Sequence, residues 1–191
     1  MNKKKLNALG QIEDEISHCD KCSLCISRTR TVPGEGNIEA DIVFIGEAPG
    51  AKEDATGQPF CGAAGKFLDK MLISINLDRD KVFITNTLKC RPPENRDPLP
   101  SEKLACRDYL IRQIEIINPK IIVCLGRHAM ADLLPEQGLI AQLHGQLIKH
   151  TDNRLYLPLY HPAAALHNGG LRTTLMSDFQ KIPEILQKIN Q

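Results

Sequence analysis

Aromatic residues are scarce in this sequence, at 4% of 191 residues, and tryptophan is absent. The core must therefore be mainly aliphatic, and an aromatic residue inside a loop motif is a candidate for ligand stacking. No apolar run approaches the ~18 residues that a membrane helix requires. The basic N-terminal residues are followed by a polar amphipathic stretch and not by an apolar signal core, so we expect a cytoplasmic protein without membrane association.

The sequence also lacks an excess of charge of one sign, because 24 basic and 23 acidic residues give a net charge of +1. We therefore do not expect a chain that coats nucleic acid through general basicity, although a local basic patch is compatible with this balance. Hydrophobic residues make up 42% and charged residues 25%, as is typical of a soluble globular protein. The length suits a single domain with one sizeable core, and no internal repeat is found.

Cysteine, by contrast, is abundant, with seven residues. An odd number in a reducing compartment argues against structural disulfides and favours metal ligation or catalysis. Sets of four thiolates bind zinc or an iron–sulfur cluster, and the spacing found here does not decide between them. Isolated cysteines such as Cys124, in the middle of an apolar run, are expected to be small core residues. The cysteines that form motifs or follow them are Cys19, Cys22, Cys25, Cys90 and Cys106.

Short apolar runs alternate with helical patterns along the chain, which predicts an α/β fold. Ser101 is the predicted N-cap of the third major helix, which Pro119 ends. The order predicts a three-layer α/β/α sandwich around a mostly parallel central sheet. Predicted strands are 41–46, 82–85, 121–125, 143–150 and 154–160; predicted helices are 5–18, 67–75, 101–118, 126–134 and 173–189.

Ligands of such sheets bind beyond the carboxyl ends of the strands. The unusual residues fall largely in the segments that occupy those places. These segments are 47–62, 86–96, 126–128 and 161–170.

Four side chains in these segments are candidates for chemistry. Glu47 follows a strand in a Gly/Pro turn that lacks the features of a phosphate loop or dinucleotide fingerprint, and the alternative is a solvated loop residue. Phe60 is a candidate stacking platform, unless it folds back into the core. Asn86 presents an amide suited to a base edge, or it caps a turn or helix. His161, at a strand end, is a candidate acid or hydrogen-bond donor, whereas His128 is expected at the surface.

A small basic cluster stands beside Asn86. Lys89, Arg91 and Arg96 are suited to phosphate contacts, and the alternative is ordinary loop charge.

Taken in order, these motifs closely resemble the family 4 uracil-DNA glycosylases, the iron–sulfur branch of the uracil-DNA glycosylase superfamily. The resemblance spans about residues 17 to 185. It rests on Cys19-x2-Cys22, the loop 28–37, the segments 46–50, 56–62 and 85–93, Cys106, and His161-Pro162-Ala163.

The resemblance implies a role for each matched residue. Glu47 would lie beside the attacking water, Phe60 would stack on uracil, and Asn86 would read the Watson–Crick edge of the base. His161 would stabilise the O2 side of the leaving base. Substrate contacts are also implied for Gly46, Ala48 and Gly50. One structural [4Fe-4S] cluster is implied, with the ligands Cys19, Cys22, Cys90 and Cys106; Cys25 falls where the family usually has another residue.

We therefore expect a monofunctional DNA repair glycosylase, a monomer that acts on uracil in single- or double-stranded DNA and hands an abasic site to downstream enzymes. Residues 1–191 would form one domain, and the cluster would tie the N-terminal helix and cysteine loop (1–36) to the core. Two other classes compete with this hypothesis: a DNA-binding redox protein that uses its cluster directly, and a zinc-stabilised α/β binding module.

Overall fold

Six β-strands form one sheet in the computed structural model, which describes residues 2–191. The strands are β1 (Glu35–Gly36), β2 (Ile42–Gly46), β3 (Phe83–Asn86), β4 (Ile121–Leu125), β5 (Ile148–Lys149) and β6 (Leu155–Leu159). Their order across the sheet is β1-β3-β2-β4-β6-β5. The central four strands run parallel, and the two short edge strands are antiparallel to their neighbours. The predicted, mostly parallel sheet is confirmed.

Helices cover both faces of this sheet, as predicted. They are α1 (Lys3–Ser17), α2 (Leu24–Ser27), α3 (Ala51–Thr56), α4 (Ala63–Ser74), α5 (Pro100–Ile117), α6 (Arg127–Leu133), α7 (Ile140–Leu143), α8 (Pro162–His167), α9 (Gly169–Phe179) and α10 (Ile182–Ile189). Residues of α4 and α9 pack on one face of the sheet, and residues of α5 and α6 pack on the other. No helix in the described part of the chain has the length and apolarity that crossing a membrane demands.

The strand β2 shows why helices cover both faces of the sheet. Its residues Ile42 and Phe44 belong to one buried cluster, in which Phe44 stacks on Phe179 of α9 with ring centroids 5.5 Å apart. The alternate residues Val43 and Ile45 belong to the cluster on the opposite face. Because successive side chains of a strand point to opposite faces, an apolar residue at every position requires a helical layer on each side.

A third buried cluster joins the N-terminal helix to α5. Ile12 and Ile16 of α1 pack with Tyr109 of α5 beside the cysteines at 90 and 106. At the rim, the guanidinium of Arg112 donates two hydrogen bonds to the carboxylate of Glu15, at 2.5 and 2.7 Å. The N-terminal segment therefore contacts the core directly, through apolar packing and this ion pair.

The start of α5 differs from the prediction. Leu99, not Ser101, is the N-cap, and Pro100 is the first helical residue. The carboxylate of Glu102 accepts a hydrogen bond from the Leu99 backbone N–H at 2.8 Å. A proline suits the first position of a helix because its missing N–H would have no helical partner there.

Other predicted elements also differ from the observed ones. The predicted helix 173–189 is split into α9 and α10, since Pro183 has no N–H to donate to the carbonyl of Phe179. The predicted strand 143–150 is reduced to β5, because Gly145 turns the chain with a φ of 70°. The segment 47–62 contains the helix α3, which ends at Gly57 with a φ of 81°.

Candidate active site and cysteine pocket

A cleft of about 330 Å³ lies beyond the carboxyl ends of the parallel strands. The four candidate side chains, Glu47, Phe60, Asn86 and His161, all line it. They come from three different strand ends and one loop, since parallel strands deliver their following segments to the same edge of the sheet. Ala48 and Gly50, which the resemblance implicates in substrate contact, line the same cleft.

Gly46 lies close to two of the cleft side chains, those of Phe60 and Asn86. A β-carbon at this position would stand 2.7 Å from Cζ of Phe60 and would collide with the side-chain oxygen of Asn86. The close approach of both side chains therefore requires glycine.

Asn86 is the last residue of β3 and is only 2% exposed. No hydrogen bond joins its side-chain amide to another residue in the part of the chain that the structure describes, whereas its backbone carbonyl accepts one from Lys89. The amide therefore caps neither a turn nor a helix. Its donor and acceptor are available to a molecule in the cleft.

Phe60 has a left-handed backbone conformation, with a φ of 50°, which is strained for a residue with a side chain. Arg79 holds this conformation: its guanidinium donates to the carbonyls of Pro59 and Phe60, at 3.0 and 2.5 Å. The same guanidinium pairs with Asp69 and Glu35, each at 2.7 Å. Arg79 was not among the predicted site residues, because it lies in a 3₁₀ turn outside every motif.

His161 caps the short helix α8. Its Nδ1 accepts a hydrogen bond from the backbone N–H of Ala163 at 3.1 Å, and its ring stacks on Phe60 with centroids 5.6 Å apart. Burial lowers the pKa of His161 to about 4. The ring is therefore neutral near pH 7 and carries its proton on Nε2, which makes that nitrogen a hydrogen-bond donor.

Glu47 has a carboxylate with two ionisable neighbours, His128 and Asp97. Burial raises its pKa above the ordinary value, while His128 acts in the opposite direction and Asp97 adds to the increase. Nε2 of His128 lies 3.9 Å from Oε2 of Glu47 and 3.6 Å from Oδ2 of Asp97. The prediction of a surface position for His128 is therefore wrong, because its side chain is only 23% exposed and faces the cleft's acidic residue.

Glu53 is a further residue of the cleft that the sequence analysis missed. It is buried in α3, and its Oε1 accepts a hydrogen bond from the backbone N–H of Gly62 at 2.9 Å. The sequence did contain one indication of this role, since Glu53 and Asp54 are two adjacent acidic residues within a Gly/Pro-rich segment. Asp54 likewise accepts from a backbone N–H, that of Thr29, at 2.9 Å.

The proposed basic cluster is only partly supported. Lys89 is 1% exposed, so its predicted role in phosphate contact is wrong. Arg96 is partly exposed and donates to both carboxylate oxygens of Glu102, at 2.9 and 2.6 Å. Arg91 donates to the side chain of Asn95 at 2.8 Å. Arg91 and Arg96 thus stay candidates, and Arg91 has the weaker competing interaction, since its partner is neutral.

A separate pocket brings together the motif cysteines, which come from the segment between α1 and α2, from α2, from the loop after β3 and from α5. Its walls are otherwise mostly apolar and include Ile16, Leu24, Leu88 and Tyr109. All seven cysteines lie within residues 2–191, and none of them forms a disulfide there. The five that line this pocket are Cys19, Cys22, Cys25, Cys90 and Cys106, while Cys124 is buried in the core, as predicted.

The chemistry of this pocket fits a thiolate-bound metal centre. Burial raises the pKa of Cys106 to about 11 and also raises that of Cys90, although Lys89 acts in the opposite direction on Cys106 and Arg28 does so on Cys90. Two N–H groups point at the sulfurs: Arg28 donates to Cys90, and the Lys89 backbone donates to Cys106, each at 3.3 Å. Such N–H···S contacts are a usual feature of iron–sulfur sites.

Comparison with known proteins identifies relatives over nearly the whole chain. The family model described as the uracil DNA glycosylase superfamily matches residues 33–188. The type-4 uracil-DNA glycosylase of Sulfurisphaera tokodaii is 49% identical over 188 residues, which cover 94% of this chain and 86% of the relative. That of Archaeoglobus fulgidus is 48% identical over 96% of each chain. That of Thermotoga maritima is 39% identical over 93% of this chain and 94% of its own.

Proposed function

Since the chain belongs to the uracil DNA glycosylase superfamily and to its type-4 branch, we propose that the cleft is where it excises uracil from DNA. The enzyme is a DNA repair glycosylase: it hydrolyses the N-glycosidic bond of deoxyuridine and leaves an abasic site. One observation carries the assignment of the site, namely the convergence of Glu47, Phe60, Asn86 and His161 in one cleft.

The cleft has the groups that would read a flipped base. An enzyme that acts on a base in a duplex must rotate the nucleotide out of the stack and into a pocket. Phe60, held by Arg79, offers a flat face for stacking. The unbonded amide of Asn86 accepts from uracil N3–H with its oxygen and donates to uracil O4 with its nitrogen.

Glu47 and His161 would stabilise the charges that develop during hydrolysis. Breaking the glycosidic bond builds positive charge on the sugar and leaves the electron pair on the departing uracil. Glu47 orients the water that bonds to the sugar carbon and accepts its proton. Nε2–H of the neutral His161 donates to O2 of the uracil anion, and backbone N–H groups of the 46–50 turn add to this stabilisation.

Four cysteines, Cys19, Cys22, Cys90 and Cys106, would hold one [4Fe-4S] cluster. The donor set, the mostly apolar walls and the two N–H···S contacts support this ligation. Cys25 lies in the same pocket and is not among the proposed ligands. When bound, the cluster supplies a covalent crosslink and no redox step. It would thereby tie segment 1–36 to α5 and to the loop after β3, within a single domain.

The remaining parts of the proposal concern the setting of the reaction. The substrate is uracil-containing DNA, in single- or double-stranded form. We further propose that the protein acts as a cytoplasmic monomer and that abasic-site repair enzymes process its product.

The test is excision from a uracil-containing oligonucleotide by the iron-loaded protein, followed by alkaline cleavage at abasic sites. We expect cleavage at the uracil position and none in the matched thymine oligonucleotide. Glu47→Ala and Asn86→Ala should lose most of the rate. If the loaded protein releases no uracil, but cluster oxidation changes its DNA affinity, the redox-sensor alternative is favoured instead. Zinc and no iron after anaerobic purification would favour the binding module.

A further inference from the structure

Lys89 is a buried cation without a carboxylate partner. It is 1% exposed, and it forms no salt bridge within the described part of the chain. Its Nζ instead contacts three neutral oxygens: Oγ1 of Thr85 at 2.6 Å, the backbone carbonyl of Asn86 at 2.9 Å, and Oε1 of Gln113 at 2.7 Å. An ammonium has three N–H donors, so every donor of Lys89 is satisfied.

These contacts continue into a polar network that joins separate parts of the fold. Thr85 Oγ1 and Gln113 Nε2 both donate to the carbonyl of Pro33, each at 2.9 Å. The backbone carbonyl of Lys89 accepts from the N–H of Val32 at 2.8 Å. The network thus fixes the end of β3 against α5 and against the loop that follows the cysteine motif.

The backbone of the same residue reaches the cysteine pocket. The N–H of Lys89 donates to Sγ of Cys106 at 3.3 Å, and the next residue is Cys90. One residue therefore contacts a cysteine sulfur through its main chain and the base-reading residue Asn86 through its side chain.

We propose that Lys89 is a positioning residue for uracil excision. It holds Asn86 at a fixed position relative to the cysteine pocket. The inference rests on the proposed function of the cleft. Burying an ammonium costs free energy, and an apolar side chain of similar length would avoid that cost. What an apolar side chain cannot supply is a donor to the Asn86 carbonyl. The presence of a buried ammonium is explained if its hydrogen bond fixes the peptide group that follows Cα of Asn86, and with it the direction of the Asn86 side-chain amide.

Loss of the bond should reduce the rate of excision more than it reduces DNA binding. Without Nζ, the carbonyl of Asn86 is left buried and unpaired, and the peptide after it relaxes toward other donors. A displacement of about 1 Å at a positioned group costs on the order of a hundredfold in rate. Lys89 itself is buried, so its replacement removes no direct contact with the DNA backbone.

The experiment compares Lys89→Met with Lys188→Met, a matched control at an exposed residue of α10 that pairs with Glu184. Three quantities are measured on iron-loaded protein: the single-turnover excision rate, the dissociation constant for undamaged DNA, and iron per chain. For Lys89→Met we expect a rate reduced by about tenfold to a hundredfold. Its DNA affinity should stay within about twofold and its iron content should equal that of the wild type. Lys188→Met should match the wild type in all three.

A folded, iron-loaded Lys89→Met with the wild-type rate overturns the inference. If that variant does not fold or loses iron, Thr85→Val decides, because it removes one acceptor of Nζ and keeps the side-chain shape. A slower rate with full iron in Thr85→Val supports positioning by Lys89, and an unchanged rate overturns it. Wild-type protein that releases no uracil would instead refute the proposed function, so the two failures are distinct.

Discussion

The Nδ1 atom of His161 lies 3.1 Å from the backbone nitrogen of Ala163 and accepts its hydrogen. A ring nitrogen that accepts carries no proton, so the ring's proton is on Nε2, the nitrogen available to a leaving base. Because burial lowers the pKa of His161 to about 4, the ring stays neutral through the pH range in which excision is measured. His161 thus acts as a neutral hydrogen-bond donor, and Glu47 is the cleft carboxylate whose pKa is raised by burial.

The excision rate should fall as the pH is lowered through the pKa of Glu47. Burial raises this pKa above its ordinary value, so the carboxylate is lost at a higher pH than a solvated glutamate would be. His161 takes up its proton only at lower pH, near 4. Single-turnover rates measured across pH at constant ionic strength should show one acid limb above the ordinary glutamate pKa. Glu47→Gln should be slow and should lack this limb.

Two neighbouring substitutions should move that limb in opposite directions. His128 lowers the pKa of Glu47 and Asp97 raises it. His128→Gln should therefore shift the limb to higher pH, and Asp97→Asn should shift it to lower pH. A limb that stays in place in both variants would show that Glu47 is not its origin.

The choice of base should depend on Asn86. Its oxygen suits the N3–H of uracil and its nitrogen suits O4, whereas cytosine presents the opposite donor and acceptor. Two unpaired buried groups cost roughly 1–3 kcal/mol each, which corresponds to discrimination of about a hundredfold or more. Asn86→Asp should cut uracil excision sharply and permit weak cytosine release; Asn86→Ala should only lose rate.

The assay for this prediction is excision from matched U·G and C·G duplexes at one salt concentration. Wild-type rates on uracil in both variants would show that another residue reads the base.

Iron analysis should find about four iron and four sulfide per chain, as expected for a [4Fe-4S] site. Replacing Cys19, Cys22, Cys90 or Cys106 with Ala should bleach the protein and lower its melting temperature. Cys25→Ala, which removes a cysteine of the same pocket, is the matched control and should keep its colour. Loss of iron in Cys25→Ala together with its retention in Cys106→Ala would contradict the ligand assignment.

DNA binding should weaken steeply with salt despite the net charge of +1. Arg91 is the first candidate for a phosphate contact, because among residues 2–191 its side chain bonds only to the neutral Asn95. Arg91→Gln should reduce the salt slope by about one, equally for damaged and undamaged DNA. Lys188→Met should leave the slope unchanged. An unchanged slope in Arg91→Gln would show that Arg91 does not contact DNA phosphates.

Much of the fold is visible in the local pattern of residues. The strand predicted at 121–125 has those bounds, the one predicted at 41–46 begins one residue too early, and the one predicted at 82–85 is shifted by one residue from the observed β3. These runs are apolar at nearly every position, and such a pattern is stable only between two helical layers. The cysteine motif and the residues at the strand ends were likewise available from the sequence, because parallel strands deliver their following segments to one edge.

The tertiary structure alone decided how the charged residues are used. Lys89 precedes Arg91 by two residues, and nothing in the local sequence shows whether such a residue contacts phosphate or is buried in the core. The difference comes from Gln113, which is 24 residues away in the sequence and which α5 places against the end of β3. His128 acquires its role in the same way, since Asp97 and Glu47 reach it from two other loops. Hydrophobic periodicity is a local property of the chain, but whether a charge is buried, and against which partner, depends on residues that only folding brings together.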